Sequence, residues 1–241
     1  MRSFASLSRL SALACVLGLF TGLQAEKSLK AQLEAQKKAA ASQIDQRTKD
    51  LTDQAFQQLR EQGIVKHALQ VGDRAPNFAL PNATGQTVQL SELLQDGPVV
   101  VTFYRGGWCP YCNLQLAIMQ QHLPELKKTG AQLVAISPDA PDGALSTAEK
   151  HGLEFQVLSD VNNDAARWFG IVYQMPEDLA ERYLAWGVPL TPKRNSPGTY
   201  ELPLAATYVI DTDGIIKWAF LDVDYTKRAE PADVVAAAKR L

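Results

Sequence analysis

The sequence is sparing with the residues that build metal centres and disulfide frameworks. Its 241 residues include three cysteines and three histidines. His67, His122 and His151 stand apart from one another and from the cysteines, so no four-ligand zinc spacing exists. A basic block is missing too. With a formal net charge of -2, nothing marks a nucleic-acid-binding surface. Beyond residue 25 no apolar run is long enough to cross a membrane. Between Glu26 and Gln62 there is neither proline nor glycine, which removes the usual helix breakers from that stretch.

What is present begins with a leader. Arg2 and Arg9 precede an apolar run from Leu10 to Leu23, and Leu23-Gln24-Ala25 has the form of a small-residue cleavage site before Glu26. This predicts a signal peptide over 1–25 and export, to the periplasm in a bacterial cell. Its serines and lack of acids give organellar targeting as the alternative. Cleavage after Ala25 removes Cys15 and leaves Cys109 and Cys112, which can then oxidise only each other or a partner. Next comes a stretch rich in Lys, Gln, Ala and Glu with Leu29, Leu33, Ala40, Ile44, Leu51, Ala55 and Leu59 at four- and seven-residue steps. The spacing predicts one long amphipathic helix or two shorter ones, ended by Gly63. This extension, over 26–70, is read as helices laid across the domain, with a partner-binding arm or a homodimer contact as the other use.

The chain's chemistry is concentrated in Pro98 to Met119. Val99 to Tyr104 is β-branched and aromatic, as in a strand buried on both faces, and Gly106-Gly107 ends it. Pro110 suits a first helical turn, and Leu114, Ala117, Ile118 and Gln121 follow at helical spacing. Cys109 and Cys112 therefore sit at a helix N-terminus, where free N–H groups and the helix dipole favour a thiolate. The two-residue spacing lets one sulfur attack and the other close a disulfide. As a structural staple so short a loop would contribute little. The flanking Pro, Tyr and Asn predict an accessible pair rather than two core cysteines.

Around this unit the pattern alternates. Ser91 is expected to cap a brief helix toward Leu94, and Pro124 to bend or end the cysteine helix. A strand over Ala131–Ser137, a helix near Ala148, a strand over Phe155–Leu158 and a helix over Asn163–Phe169 predict a mostly parallel sheet with helices on both faces. Pro176–Trp186 reads as a helix. Val188–Pro203, with four prolines, reads as a long loop and a candidate lid or docking surface. Ala206–Ile210 and Ile215–Val223 flank a turn at Asp213-Gly214 and predict a hairpin. A last helix follows Pro231.

Three motifs in this order carry a family resemblance: Gly-Asp-Arg-Ala-Pro-Asn-Phe-Ala-Leu at 72–80, Phe-Tyr-Arg-Gly-Gly-Trp-Cys-Pro-Tyr-Cys at 103–112, and Ala-Thr-Tyr-Val-Ile-Asp-Thr-Asp-Gly at 206–214. From about Val71 to the C-terminus the chain resembles the peroxiredoxin-like branch of the alkyl hydroperoxide reductase and thiol-specific antioxidant family. The resemblance implies an α/β thioredoxin-like fold over 71–241, a central mixed sheet flanked by helices. It implies thiol chemistry with no cofactor or metal, acting on a hydroperoxide and recharged by a thioredoxin-like protein or glutathione. Cys112 falls at the place of the family's attacking cysteine, which makes Cys109 the resolving one. The family's proline and threonine positions fall on Arg105 and Cys109, and its peroxide-polarising arginine on Ala205. Arg105 is the candidate to take that arginine's place, with Trp108, Pro110 and Tyr111 shaping the approach. Thioredoxins resemble the segment differently: Cys109 is then the nucleophile acting on protein disulfides and Cys112 resolves, while Thr102 stands at their buried acid. A redox-inert partner-binding module is the third reading.

Overall fold

A computed structural model describes residues 28–193 and 196–241; the leader over 1–25 and Cys15 lie outside them. The extension forms two helices, α1 (Leu29–Ala41) and α2 (Gln46–Glu61). Asp45 ends the first run by capping the second, its carboxylate accepting from the Thr48 N–H at 2.9 Å. Gly63, at φ 66, closes α2 in the left-handed region and leads to the short α3 (Ile64–His67).

A small antiparallel pair, β1 (Ala79–Pro81) and β2 (Thr87–Gln89), precedes α4 (Leu90–Leu93). Ser91 lies inside α4, and Gln89 holds the N-cap position instead. Then come β3 (Val99–Phe103), α5 (Pro110–Lys127), β4 (Gln132–Ser137), α6 (Pro141–His151), β5 (Gln156–Ser159) and α7 (Asp164–Trp168). Helix α5 runs through Pro124 to Lys127. A proline so near the C-terminal end costs one backbone bond without stopping the last turn.

Beyond α7 lie β6 (Val172–Gln174), α8 (Glu177–Ala185), β7 (Pro192–Lys193) and β8 (Ser196–Pro203). The stretch expected as a loop thus supplies two strands, and with β6 they form an antiparallel sheet in the order β6-β8-β7. Its prolines are tolerated because Pro192 and Pro203 stand at strand ends and Pro197 lies where the β7–β8 register is irregular. The chain ends with β9 (Thr207–Ile210), β10 (Ile216–Phe220) and α9 (Pro231–Ala238).

The central sheet has the order β10-β9-β3-β4-β5. β3, β4 and β5 pair parallel, whereas β9 pairs antiparallel with both β3 and β10. It is therefore mixed rather than mostly parallel, because the tight turn at Asp213-Gly214 forces β9 and β10 antiparallel. Strand β3 is buried along its whole length and sends alternate side chains to two cores. Val99, Val101 and Phe103 meet Phe78, Phe169 and Tyr208 on one face. Val100, on the other, joins the cysteines, Leu29 and Leu33 of α1, and Val234 of α9. Helix α2 packs through Ala55 on Leu179, Ala180 and Tyr183 of α8.

Candidate active site

The turn after β3 delivers the cysteines. Gly106, at φ 141, adopts backbone that side chains rarely reach, and a Cβ there would stand 2.4 Å from Trp108 Nε1. The Gly107 N–H donates to Asp139 Oδ2 at 2.7 Å, and Asn113 Nδ2 donates to the Gly107 carbonyl at 2.8 Å, pinning the turn from both sides. Cys109 is the N-cap of α5, exposed Pro110 takes the first helical position, and Tyr111 and Cys112 follow in the same turn.

Both sulfurs are closed off: Cys109 and Cys112 are each 0% exposed. The accessible pair expected from the flanking residues is thus corrected. Polar neighbours predict access only if nothing from elsewhere in the chain lies over them, and here residues 224–230 do. Two buried guanidiniums flank the pair. Arg228, 6% exposed, brings Nη2 to 3.2 Å from Cys112 Sγ and donates through Nη1 to the Lys227 carbonyl. Arg105, 2% exposed, sits in an aromatic box, its guanidinium carbon 3.9, 4.9 and 5.4 Å from the ring centroids of Tyr225, Trp108 and Tyr183. Its Nη2 donates to Tyr183 Oη at 3.2 Å. Among the hydrogen bonds and ion pairs of the described residues, neither arginine meets a carboxylate.

The sulfurs share one proton. Burial pushes Cys109 up, but the hydrogen bond from Cys112, then Arg105 and Arg228, outweigh it and bring Cys109 down to about 5. Burial pushes Cys112 up, and its hydrogen bond to Cys109 and that neighbour's charge push it further. Asp139, pinning the turn, is also raised by burial, against the hydrogen bond it accepts from Gly107. Below α5, Thr102 shares a 3.0 Å hydrogen bond with Thr207, and Gln115 Nε2 reaches both. The position of the thioredoxins' buried acid is therefore filled by a neutral network.

Comparison with known proteins decides the family. The AhpC/TSA family pattern matches residues 71–219. The chain belongs to the AhpC/TSA family. Within it, the chain is similar to peroxiredoxin Bcp of Escherichia coli K12, 32% identical over 154 residues, 64% of this chain and 86% of that protein. It is 31% identical over 158 residues to chloroplastic peroxiredoxin Q of Triticum aestivum, 66% of this chain and 62% of that protein. Among solved structures, peroxidoxin BcpB from Mycobacterium tuberculosis superposes with a TM-score of 0.57 at 25% identity, over 72% of this chain and 98% of that one. Peroxiredoxin Q of Xanthomonas campestris shares the fold, with a TM-score of 0.54 at 20% identity over 72% of this chain and 98% of that one. This AhpC/TSA protein is thus an oxidoreductase on a thioredoxin-like fold.

The family match ends at residue 219, and Tyr225, Arg228 and Glu230 lie beyond it. Ala205, where the resemblance expects an arginine, is buried and carries no charge. The guanidinium at the sulfur comes instead from Arg228. Sequence reading missed that residue, which lies outside the three motifs that carry the family resemblance. The structure brings Arg105, Trp108, Tyr111, Cys109 and Cys112 together, Tyr111 packing edge-on against Tyr225 at 5.8 Å. A cleft of about 640 Å³ between α1 and α2 ends on Tyr111 and Tyr225, and neither cysteine lines it.

Proposed function

We propose that the protein reduces hydroperoxides through this pair, with Cys112 attacking and Cys109 resolving. The observation that carries the reading is the 3.2 Å contact of Arg228 Nη2 with Cys112 Sγ, in a chain of a peroxide-reducing family. Cys109, holding the thiolate at rest, accepts the Cys112 proton. Cys112 sulfur then bonds to the distal peroxide oxygen as the O–O bond breaks, and the leaving alkoxide takes up a proton. Two electrons have left sulfur, giving Cys112 sulfenic acid and an alcohol. Cys109 displaces hydroxide, released as water, and the disulfide forms. Arg228 is positioned to stabilise charge on sulfur and on the breaking O–O bond. Recharging takes two electrons from a thiol donor, either a thioredoxin-like dithiol protein or glutathione. Export of the chain, proposed from the leader, requires that donor in the same compartment.

Arg228→Ala is expected to slow oxidation of the reduced protein by hydrogen peroxide or an organic hydroperoxide by on the order of a hundredfold. Stopped-flow measurement against wild type, with the fold checked by circular dichroism, tests it. An unchanged rate would remove Arg228 from the reaction.

One observation favours a second reading. The lowered pKa belongs to Cys109, as a disulfide oxidoreductase with Cys109 as nucleophile requires. Trapping a mixed disulfide on Cys109 with a model disulfide, faster than either sulfur reacts with peroxide, would support it.

A further inference from the structure

The two parts of the chain outside the family match meet over the active site. Residues 224–230 face the reactive pair on one side, through Arg228 on Cys112 and Tyr225 on Arg105. On the other side they face the N-terminal helices. The Glu230 carboxylate accepts the backbone N–H groups of Leu29, at 3.2 Å, and Lys30, donors that a helix start otherwise leaves unpaired. Asp224 meets Lys37 of α1 at 3.5 Å, and Tyr225 meets Phe56 of α2 edge-on at 5.5 Å. Leu29 and Leu33 are buried in the same core as both cysteines.

Arg228 has little holding it from its own side chain. It forms no ion pair among the described residues, its Nε has no partner, and its one backbone contact is to the neighbouring Lys227 carbonyl. Where its guanidinium lies is therefore set by the course of the backbone from 227 to 230. That backbone is fixed after Arg228 by Pro231, first residue of α9, and by the grip of the adjacent Glu230 on α1, and before it by the Lys227 N–H donating to the Asp224 carbonyl at 3.0 Å.

We infer that Glu230 is a positioning residue: by clasping the N-terminus of α1 it holds Arg228 against Cys112, so that the N-terminal helices are part of the active site. The inference rests on Cys109 and Cys112 being the reactive pair. A helix brace with no bearing on the sulfurs is the competing account, and it predicts that loss of Glu230 weakens α1 while leaving the thiols as they were.

Thiolate formation in the reduced full-length protein separates the two, followed by ultraviolet absorbance against pH. Besides the two arginines, Tyr104, Tyr111, Asp139, Tyr173 and Tyr225 face the pair, and none of these is touched by the substitutions. A nearby guanidinium favours the thiolate, so Arg228→Ala is expected to move the midpoint up by about one pH unit. Glu230→Ala moves it the same way by a smaller amount. Glu230→Gln keeps side-chain length and an acceptor, and returns most of the shift. Glu230→Ala with Arg228→Ala moves no further than Arg228→Ala alone, because the first acts through the second. A folded Glu230→Ala protein with the wild-type midpoint, or a double variant whose shift is the sum of the two, overturns the inference. If Glu230→Ala does not fold, Glu230→Asp, with its carboxylate drawn back by one methylene, is expected to show the upward move, and its absence is equally decisive. The readout involves no peroxide, so its failure and the failure of the peroxidase reading are distinguishable.

Discussion

Two buried guanidiniums and one shared thiolate set the charge balance at Cys109 and Cys112. Cys109 ionises near 5 in the folded protein against an ordinary thiol value of 9.0. Between those pH values the unfolded chain holds a proton that the folded chain has released, so the reduced protein gains stability as pH rises through the interval. The gain disappears as pH falls through 5. The disulfide form has no thiol to titrate. Denaturant midpoints of the two forms should therefore diverge in favour of the reduced one from about pH 5 to 9, and parallel curves would contradict the assignment. Gly106 gives a second expectation at this scale. A Cβ at φ 141 would stand 2.4 Å from Trp108 Nε1 and 2.9 Å from Asp139 Oδ1, so Gly106→Ala should cost about 1–3 kcal/mol in a melting experiment and loosen the turn that carries Cys109. The cysteine pair itself was legible from its spacing and flanking glycines and proline. Arg228 was not, because it lies 116 residues from Cys112 and no local pattern links them.

At the scale of elements, hydropathy patterning located every strand of the central sheet and the cysteine helix, since each carries either a β-branched run or a helical period. It misread Val188–Pro203, where proline density argues for a loop although prolines at strand ends and at an irregular register leave pairing intact. The N-terminal helices were legible as helices, and they were read as laid across the domain. What the pattern could not give is that α1 leans on the active-site segment. Leu33 of α1, 4% exposed, is buried in the core that also holds both cysteines. Leu33→Ala should weaken docking of α1 by about 2–5 kcal/mol, seen as faster amide exchange over residues 29–41 while β3 and β4 stay protected. Equal protection in both proteins would show that α1 is held by other means.

For the whole molecule, the same charge balance bears on redox poise. Oxidation to the Cys109–Cys112 disulfide removes the thiolate and leaves Arg105 and Arg228 buried without a negative partner, which disfavours the oxidised form. Its potential should lie above the roughly -270 mV of thioredoxin, measured by equilibration with glutathione. A value at or below that level would mean that the arginines find other compensation. The fold class and the sulfur chemistry follow from the three motifs in the sequence. The burial of the site does not, because the residues that close it come from beyond both ends of the family-matched region.

In the proposed reaction Cys112 takes oxygen from peroxide and Cys109 resolves. Single-turnover oxidation of reduced wild type, Cys109→Ser and Cys112→Ser by hydrogen peroxide, with sulfenic acid trapped by a dimedone-type reagent, tests it most directly. Cys109→Ser is expected to form and retain sulfenic acid on Cys112, while Cys112→Ser forms none at a comparable rate. Sulfenic acid appearing on Cys109 in the Cys112→Ser protein, with Cys112 inert in the other, would contradict it.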